Sequence, residues 1–412
     1  MSPRAHACAR SSSPRDADRP ERSRQIVRTA FVSTYPPRHC GIATFTRDLA
    51  AATGNREIVA IHEPGQASPY PLEVHHRIRR DERADYPAVA RTLRECVDVV
   101  SIQHEYGIWG GDDGEAVLDF VRALHLPAIA TLHTVLQHPT PQQRSILVEL
   151  VERVDATVVM SRSAVTRLHS AYGVDPGRIQ VIPHGVPELP LVDPVIAKQA
   201  LGVDGRDVIL SFGLLGPGKG LELALEALPA IVAARPAVTY VVVGATHPNL
   251  VRSEGEAYRD SLVAQVARLG LSDHVMFVDR FVGRLELMQW LEACDVFVTP
   301  YPNLDQIVSG TLSYAMGAGR TVVSTPYAYA TELLADGRGI LVKAGSPSSL
   351  SSVIVDVLGD DGLRERIGRR AYAHTRRMVW SAVGAEYGRL FDMVATTTSA
   401  PVRVVPLAAV HA

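Results

Sequence analysis

The sequence predicts an α/β protein made of two doubly wound parallel-sheet domains in tandem, the two facing each other across a cleft. Three observations predict it. Short apolar runs alternate with longer amphipathic ones, which is the pattern of βαβ units. Those runs are continuously apolar, as strands buried on both faces of a parallel sheet must be. The series stops once, at a proline-rich stretch, and then resumes.

The elements follow in order. Residues 1–25 carry six arginines against three acids with many Ser and Pro, and are expected to be a disordered tail. They lack the apolar segment of a secretory leader. A domain is expected over 26–190, with strands at 29–33, 57–61, 97–103, 128–133, 156–160 and 179–183. Helical stretches lie between them at 42–53, 113–125, 141–154 and 161–172, while His75-His76 reads as part of a loop. The stretch PHGVPELPLVDP (183–194) is polar and proline-rich, as linkers are. A second domain is expected over 191–377, with strands at 208–213, 238–244, 275–279, 296–300, 321–325 and 339–342. In 378–395, Trp380, Val383, Tyr387 and Leu390 or Phe391 recur on one helical face. Residues 396–412 lack a period and read as a second tail.

Composition narrows the function. The 412 residues fit two or three domains at about 150 residues each. A net charge of -2 argues against a nucleic-acid partner, which requires a cationic surface. Four scattered cysteines form no CxxC pair, so neither zinc nor a disulfide framework is expected, and a reducing cytoplasm fits. No apolar run reaches the ~20 residues that span a bilayer. The arginine-rich tail leaves room for peripheral contact with anionic lipid, against the plainer reading of a solvated tail.

Four segments carry candidate chemistry. FGLLGPGKG (212–220) follows a strand and precedes a helix. Its backbone can approach a ligand closely, the helix start offers free amides, and Lys219 adds a point charge. That suits a diphosphate, although a glycine-rich turn with a solvated lysine explains it equally. Ser309, Gly310 and Thr311 stand at a second helix start, where the alternatives are a simple cap and another oxyanion site. PPRHCGIATF (36–45) lies between the first strand and first helix, with Gly41 permitting close approach. TLHT (131–134) puts His133 at a strand's carboxyl end, where ligands bind in such sheets, and His104-Glu105 is placed similarly. Trp109 is a candidate for stacking on an acceptor sugar, with buried packing as the alternative. No metal-binding pattern is present.

Taken together and in this order, these segments resemble the family-4 (group 1) glycosyltransferases, which are retaining enzymes of the GT-B fold. The resemblance covers about 29–394 and includes IPHGV (182–186), the block from CDVFVTPYPN to SYAMGAGRTVVST, and the final segment around Trp380. It implies a cytoplasmic enzyme that moves a sugar from a nucleoside-diphosphate donor to a glycan, lipid-linked or small-molecule acceptor, with no cofactor and no metal. It further implies that Gly213, Lys219, Ser309, Gly310 and Thr311 bind the donor diphosphate. By the same resemblance His133 lies beside the reacting sugar, Gly41 approaches donor or acceptor, and residues 378–395 cross back to the first domain. Glu332 matches the family's acidic position after the next strand. Two departures stand out. Leu214 occupies the place of an arginine, and Gln306 and Tyr314 occupy the places of a glutamate pair, the second of which holds the donor ribose, with Asp305 adjacent. These departures keep open a binding protein that has lost turnover. A nucleotide-sugar epimerase of the same fold is a further alternative.

Overall fold

The computed structural model describes residues 27–55, 57–65 and 68–396. The expected tails fall outside them, apart from Thr396, which ends the last helix.

The first half is a seven-stranded sheet: β1 (Thr29–Ser33), β2 (Glu57–His62), β3 (Val74–Arg79), β4 (Val99–His104), β5 (Ala128–Leu132), β6 (Ala156–Val159) and β7 (Ile179–Val181). Its helices are α1 (Gly41–Thr53), α2 (Asp85–Leu93), α3 (Ala116–Leu124), α4 (Pro141–Arg153) and α5 (Arg162–Arg167). The second half has six strands: β8 (Asp207–Phe212), β9 (Val238–Val243), β10 (Val275–Val278), β11 (Val296–Thr299), β12 (Thr321–Ser324) and β13 (Ile340–Leu341). Around them lie α6 (Val195–Ala200), α7 (Leu221–Ala234), α8 (Pro248–Glu254), α9 (Ala257–Arg268), α10 (Arg284–Ala293), α11 (Gly310–Gly317), α12 (Ala328–Leu333), α13 (Pro347–Gly359), α14 (Asp361–Thr375) and α15 (Trp380–Thr396).

The sheets run β3-β2-β1-β4-β5-β6-β7 and β10-β9-β8-β11-β12-β13, and the paired strands are parallel. Strand order therefore reverses between β1 and β4 in one half and between β8 and β11 in the other. A crevice opens outside the carboxyl ends at such a point, because successive crossovers leave on opposite faces of the sheet. The segments after β1, β4, β8 and β11 carry most of the chemical signals of the sequence, and His133 follows the neighbouring strand β5.

Each sheet is buried on both faces. Side chains such as Val32, Ile61 and Ile102 pack under α2, α3 and α4. The opposite face, with Phe31, Ile58 and Val99, is covered by α1 and by Trp380, Val383, Tyr387, Leu390, Phe391 and Val394 of α15. The last helix thus belongs to the second half by sequence and to the first half by packing. The two passages of the chain run side by side: Val186 donates to Met378, and Trp380 donates back to Val186, at 2.8 and 3.0 Å.

Two sequence expectations change here. His75 and His76 lie on strand β3, not in a loop, and both face Glu57, at 3.0 and 3.6 Å. This edge strand is polar (VHHRIR), with Ile78 its one fully buried residue, so no apolar run announced it. The expected helix from 113 begins at Ala116, because Asp113 takes a left-handed conformation (φ 53°).

Candidate active site

The second half builds one corner of the crevice from three segments. Gly213 follows β8, and a side-chain carbon placed on it would lie 3.5 Å from Thr311 Cγ2 and 4.0 Å from Lys219 Nζ. Lys219 Nζ donates to the Tyr301 hydroxyl at 3.2 Å and stands 4.6 Å from that ring's centroid. Tyr301 and Thr311 share a hydrogen bond of 2.9 Å, and Thr311 meets Ser309 Oγ at 3.1 Å. Ser309 caps α11 by accepting from the Leu312 amide. The amides of Gly310 and Thr311 stand ahead of that cap at the positive end of the helix. Gly310 has a further reason to be glycine: a Cβ there would come within 2.8 Å of His184 Nε2. The five residues singled out as a diphosphate site are therefore brought together around Lys219.

The first half contributes β-strand ends. His133 follows β5, and its Nε2 lies 2.9 Å from Oε1 of buried Gln103. With that oxygen accepting, Nε2 carries the proton and Nδ1 offers a lone pair. Desolvation, reinforced by His184 and His104, pushes the His133 pKa down to about 3, so the ring is neutral at pH 7. Phe45 of α1 stands edge-on to His133, His184 and Trp380, with centroids 4.9, 5.1 and 5.3 Å away. Glu105 follows β4 and accepts from the Gly107 amide at 2.8 Å. Burial raises its carboxyl pKa, with Arg38 opposing. Gly41 opens α1, and a Cβ there would meet nothing within 4 Å, so its space is free.

Several candidates are placed elsewhere. His104 is fully buried and reaches no acceptor; desolvation lowers its pKa to about 4. Trp109 is buried as well and donates its ring N–H to the Gln103 carbonyl, which holds it in the core. Glu332 is turned away from the donor corner. Both its oxygens accept amides at the start of α5, from Arg162 and Ser163, at 2.9 and 3.1 Å. Asp305 also sits at that contact between halves, where its carbonyl accepts from Arg167. Gln306 is turned onto the Val308 carbonyl at 2.7 Å. Tyr314 is buried and donates to Asp48 of α1 at 3.3 Å, so a carboxylate stands at this place but comes from the other half.

Other residues at the crevice carried no separate signal. Asp48 is joined by Arg47 and by Arg284 of α10, at 2.8 and 3.6 Å. His39 stacks on Phe281 at 4.5 Å, with the rings 5° from parallel. Glu63 gathers Arg38, Arg80 and Arg252 at 2.7, 2.6 and 3.2 Å. Arg38 lies inside the singled-out segment 36–45, so its position was visible in the sequence although its partners were not. Among the described residues no cluster of three or more metal-ligating side chains occurs, and no helix is long and apolar enough to cross a membrane.

Residues 194–374 match the family model described as glycosyl transferases group 1, and residues 15–188 match that of glycosyltransferase family 4. A D-inositol 3-phosphate glycosyltransferase of Jonesia denitrificans is 26% identical over 297 residues, covering 67% of this chain and 68% of the relative. A GDP-mannose-dependent mannosyltransferase of Corynebacterium glutamicum acts on monoacylated alpha-(1-6)-phosphatidylinositol monomannoside. It is 24% identical over 374 residues, covering 85% of this chain and 93% of the relative. The crystal structure of Anabaena HepE with UDP and glucose superposes with a TM-score of 0.73 at 19% identity, over 89% of this chain and 100% of that one. Sucrose-phosphate synthase from Thermosynechococcus elongatus gives 0.71 at 17% identity, over 89% and 99%. At those identities the two structures establish the GT-B fold.

Proposed function

Since the chain belongs to the family-4 (group 1) glycosyltransferases, we propose that it holds a nucleoside-diphosphate sugar in its second half. It transfers that sugar, with retention and without a metal, to an acceptor lying against the first half. The convergence of Lys219, Gly213 and the α11 start on one corner carries this reading.

As the bond from the anomeric carbon to the diphosphate breaks, negative charge grows on the leaving oxygen. A fixed ammonium and two free amides are suited to it, because they need no reorganisation as the charge appears. Each well-placed donor of this kind contributes about 3 kcal/mol to the transition state. Neutral His133 cannot protonate the leaving group near pH 7. In this reading it orients the sugar through Nδ1, while Gln103 fixes its ring. The proton of the attacking hydroxyl passes to the departing phosphate on the same face, and that geometry yields retention. The half-buried Glu105 and the open space at Gly41 are assigned to the acceptor side.

The test is transfer from UDP- and GDP-sugars to a panel of polyol, sugar-phosphate and lipid-linked acceptors. Lys219→Ala is expected to lower turnover by about 10²–10³-fold with the best donor. Wild-type turnover in that variant would remove the diphosphate assignment. A second reading, binding without turnover, is favoured by one observation: Tyr314 is spent on Asp48. Calorimetric donor binding with no transfer to any acceptor would select it.

A further inference from the structure

Leu214 leaves the donor corner with one cation where the family has two. The charge around that corner is nevertheless high. Arg252 lies on α8, and α8 packs onto the glycine loop: Leu215 and Thr246 form a parallel bridge, and a Cβ on Gly216 would lie 3.1 Å from Leu250. Arg38 comes from the other half, in the segment between β1 and α1. Glu63 draws the two guanidiniums together, Arg38 at 2.7 Å and Arg252 at 3.2 Å. His247, at the start of α8, feels Arg38, Lys219 and Arg252 together, which lowers its pKa after the larger effect of burial. Three cations from three segments therefore act on His247, whose amide donates to the Leu215 carbonyl of the glycine loop at 2.9 Å.

The facing acids do not neutralise them. Glu63 is also held by Arg80 at 2.6 Å, so one carboxylate serves three guanidiniums. Asp81 meets Arg80 at 3.6 Å from a solvent-exposed position. Glu105 interacts with Arg38, but its own burial disfavours its charge. Arg38 is largely buried, with 16% of its side chain exposed, whereas Arg252 is 53% exposed and has donors to spare. A surplus of guanidinium, desolvated at Arg38, calls for an anion, and a planar fork matches phosphate oxygens in pairs.

We propose that Arg38 and Arg252, gathered by Glu63, bind the donor diphosphate together with Lys219 and stand in for the arginine missing at Leu214. This rests on the donor reading above. Because the two arginines come from opposite halves, binding the diphosphate also draws the halves together.

The experiment is calorimetric titration of the full chain with UDP and GDP, without acceptor. It compares wild type, Lys219→Ala, Arg38→Ala, Arg252→Ala, Arg252→Lys and Glu63→Gln, with circular dichroism to show that each variant is folded. Each arginine-to-alanine change is expected to weaken the preferred diphosphate about tenfold or more, and the matching monophosphate less. Arg252→Lys recovers part of the loss. Glu63→Gln loosens the gathered pair but leaves both guanidiniums, so it is expected to weaken the diphosphate less than either arginine-to-alanine change does. If the arginines merely strap the halves together, Arg38→Ala and Arg252→Ala instead weaken diphosphate and monophosphate by the same factor, which overturns the proposal. Wild-type affinity in both arginine variants, with loss in Lys219→Ala, also overturns it and leaves the donor reading standing. Failure of the wild type to bind either diphosphate removes both.

Discussion

At the residue scale, buried histidines make the protein sensitive to mild acid. His104, His133 and His184 have pKa values pushed down to about 4, 3 and 4 from 6.5, in each case mainly by desolvation. A group whose folded pKa is lowered binds fewer protons in the native state than in the unfolded one. Their contribution is full above pH 6.5 and is lost as pH falls toward the folded values. We therefore expect a lower Tm at pH 5 than at pH 7.5. His104 has both ring nitrogens buried without a hydrogen-bond partner, so His104→Leu should flatten that slope. An unchanged slope in scanning calorimetry would exclude His104 as a contributor. The sequence placed His133 and His104 correctly at strand ends. It could not tell which of them faces the crevice, because that depends on side-chain direction and on Tyr106 standing edge-on to His104.

At the element scale, α5 is held across the crevice. Its first amides are taken by Glu332 of α12, and Ser161 donates to the Ile307 carbonyl at 2.9 Å. Losing such a carboxylate cap costs about 1 kcal/mol. Glu332→Gln should accordingly raise amide exchange in 162–167 with the β-strands unaffected. Equal protection in mutant and wild type would show that the contact adds nothing. A second prediction concerns α15, which packs so closely on α1 that a Cβ on Gly384 would lie 2.6 Å from the Ala52 carbonyl oxygen. Overpacking of this kind costs about 1–3 kcal/mol, so Gly384→Leu should lower Tm by several degrees. The apolar strands and the periodic face of α15 were legible because burial on both sides writes itself into composition. Strand β3 was not, since an edge strand needs only Ile78 inside. The role of Glu332 was hidden for a similar reason: its partners lie 169 and 170 residues away.

At the scale of the whole molecule, the two halves touch around the crevice through Glu63–Arg252, Asp48–Arg284, Asp48–Tyr314 and the stacked His39 and Phe281. In both ion pairs the carboxylate is buried but the arginine is about half exposed, so the attraction is open to screening by salt. Raising ionic strength should therefore enlarge the radius of gyration measured by small-angle scattering. A nucleoside diphosphate at saturating concentration should reverse the change. A radius independent of salt would mean that the stacked and buried contacts hold the halves alone. The tandem architecture was legible from the pause at 183–194, but which surfaces meet was not, because contacts such as Glu63–Arg252 and Asp48–Arg284 join charged residues that would look solvent-facing in their own sequence context.

The packing of α15 bears on how the protein is made. A ribosome delivers the first sheet hundreds of residues before it delivers Trp380, Tyr387 and Phe391, yet those side chains cover the face formed by Phe31, Ile58 and Val99. Domains commonly fold in the order in which they emerge. Here the half that emerges first waits with a greasy flank uncovered, and the half that emerges last brings its cover. The seam at Val186 and Val379, where outgoing and returning chain lie hydrogen-bonded, is the point at which synthesis order and completion order are reconciled.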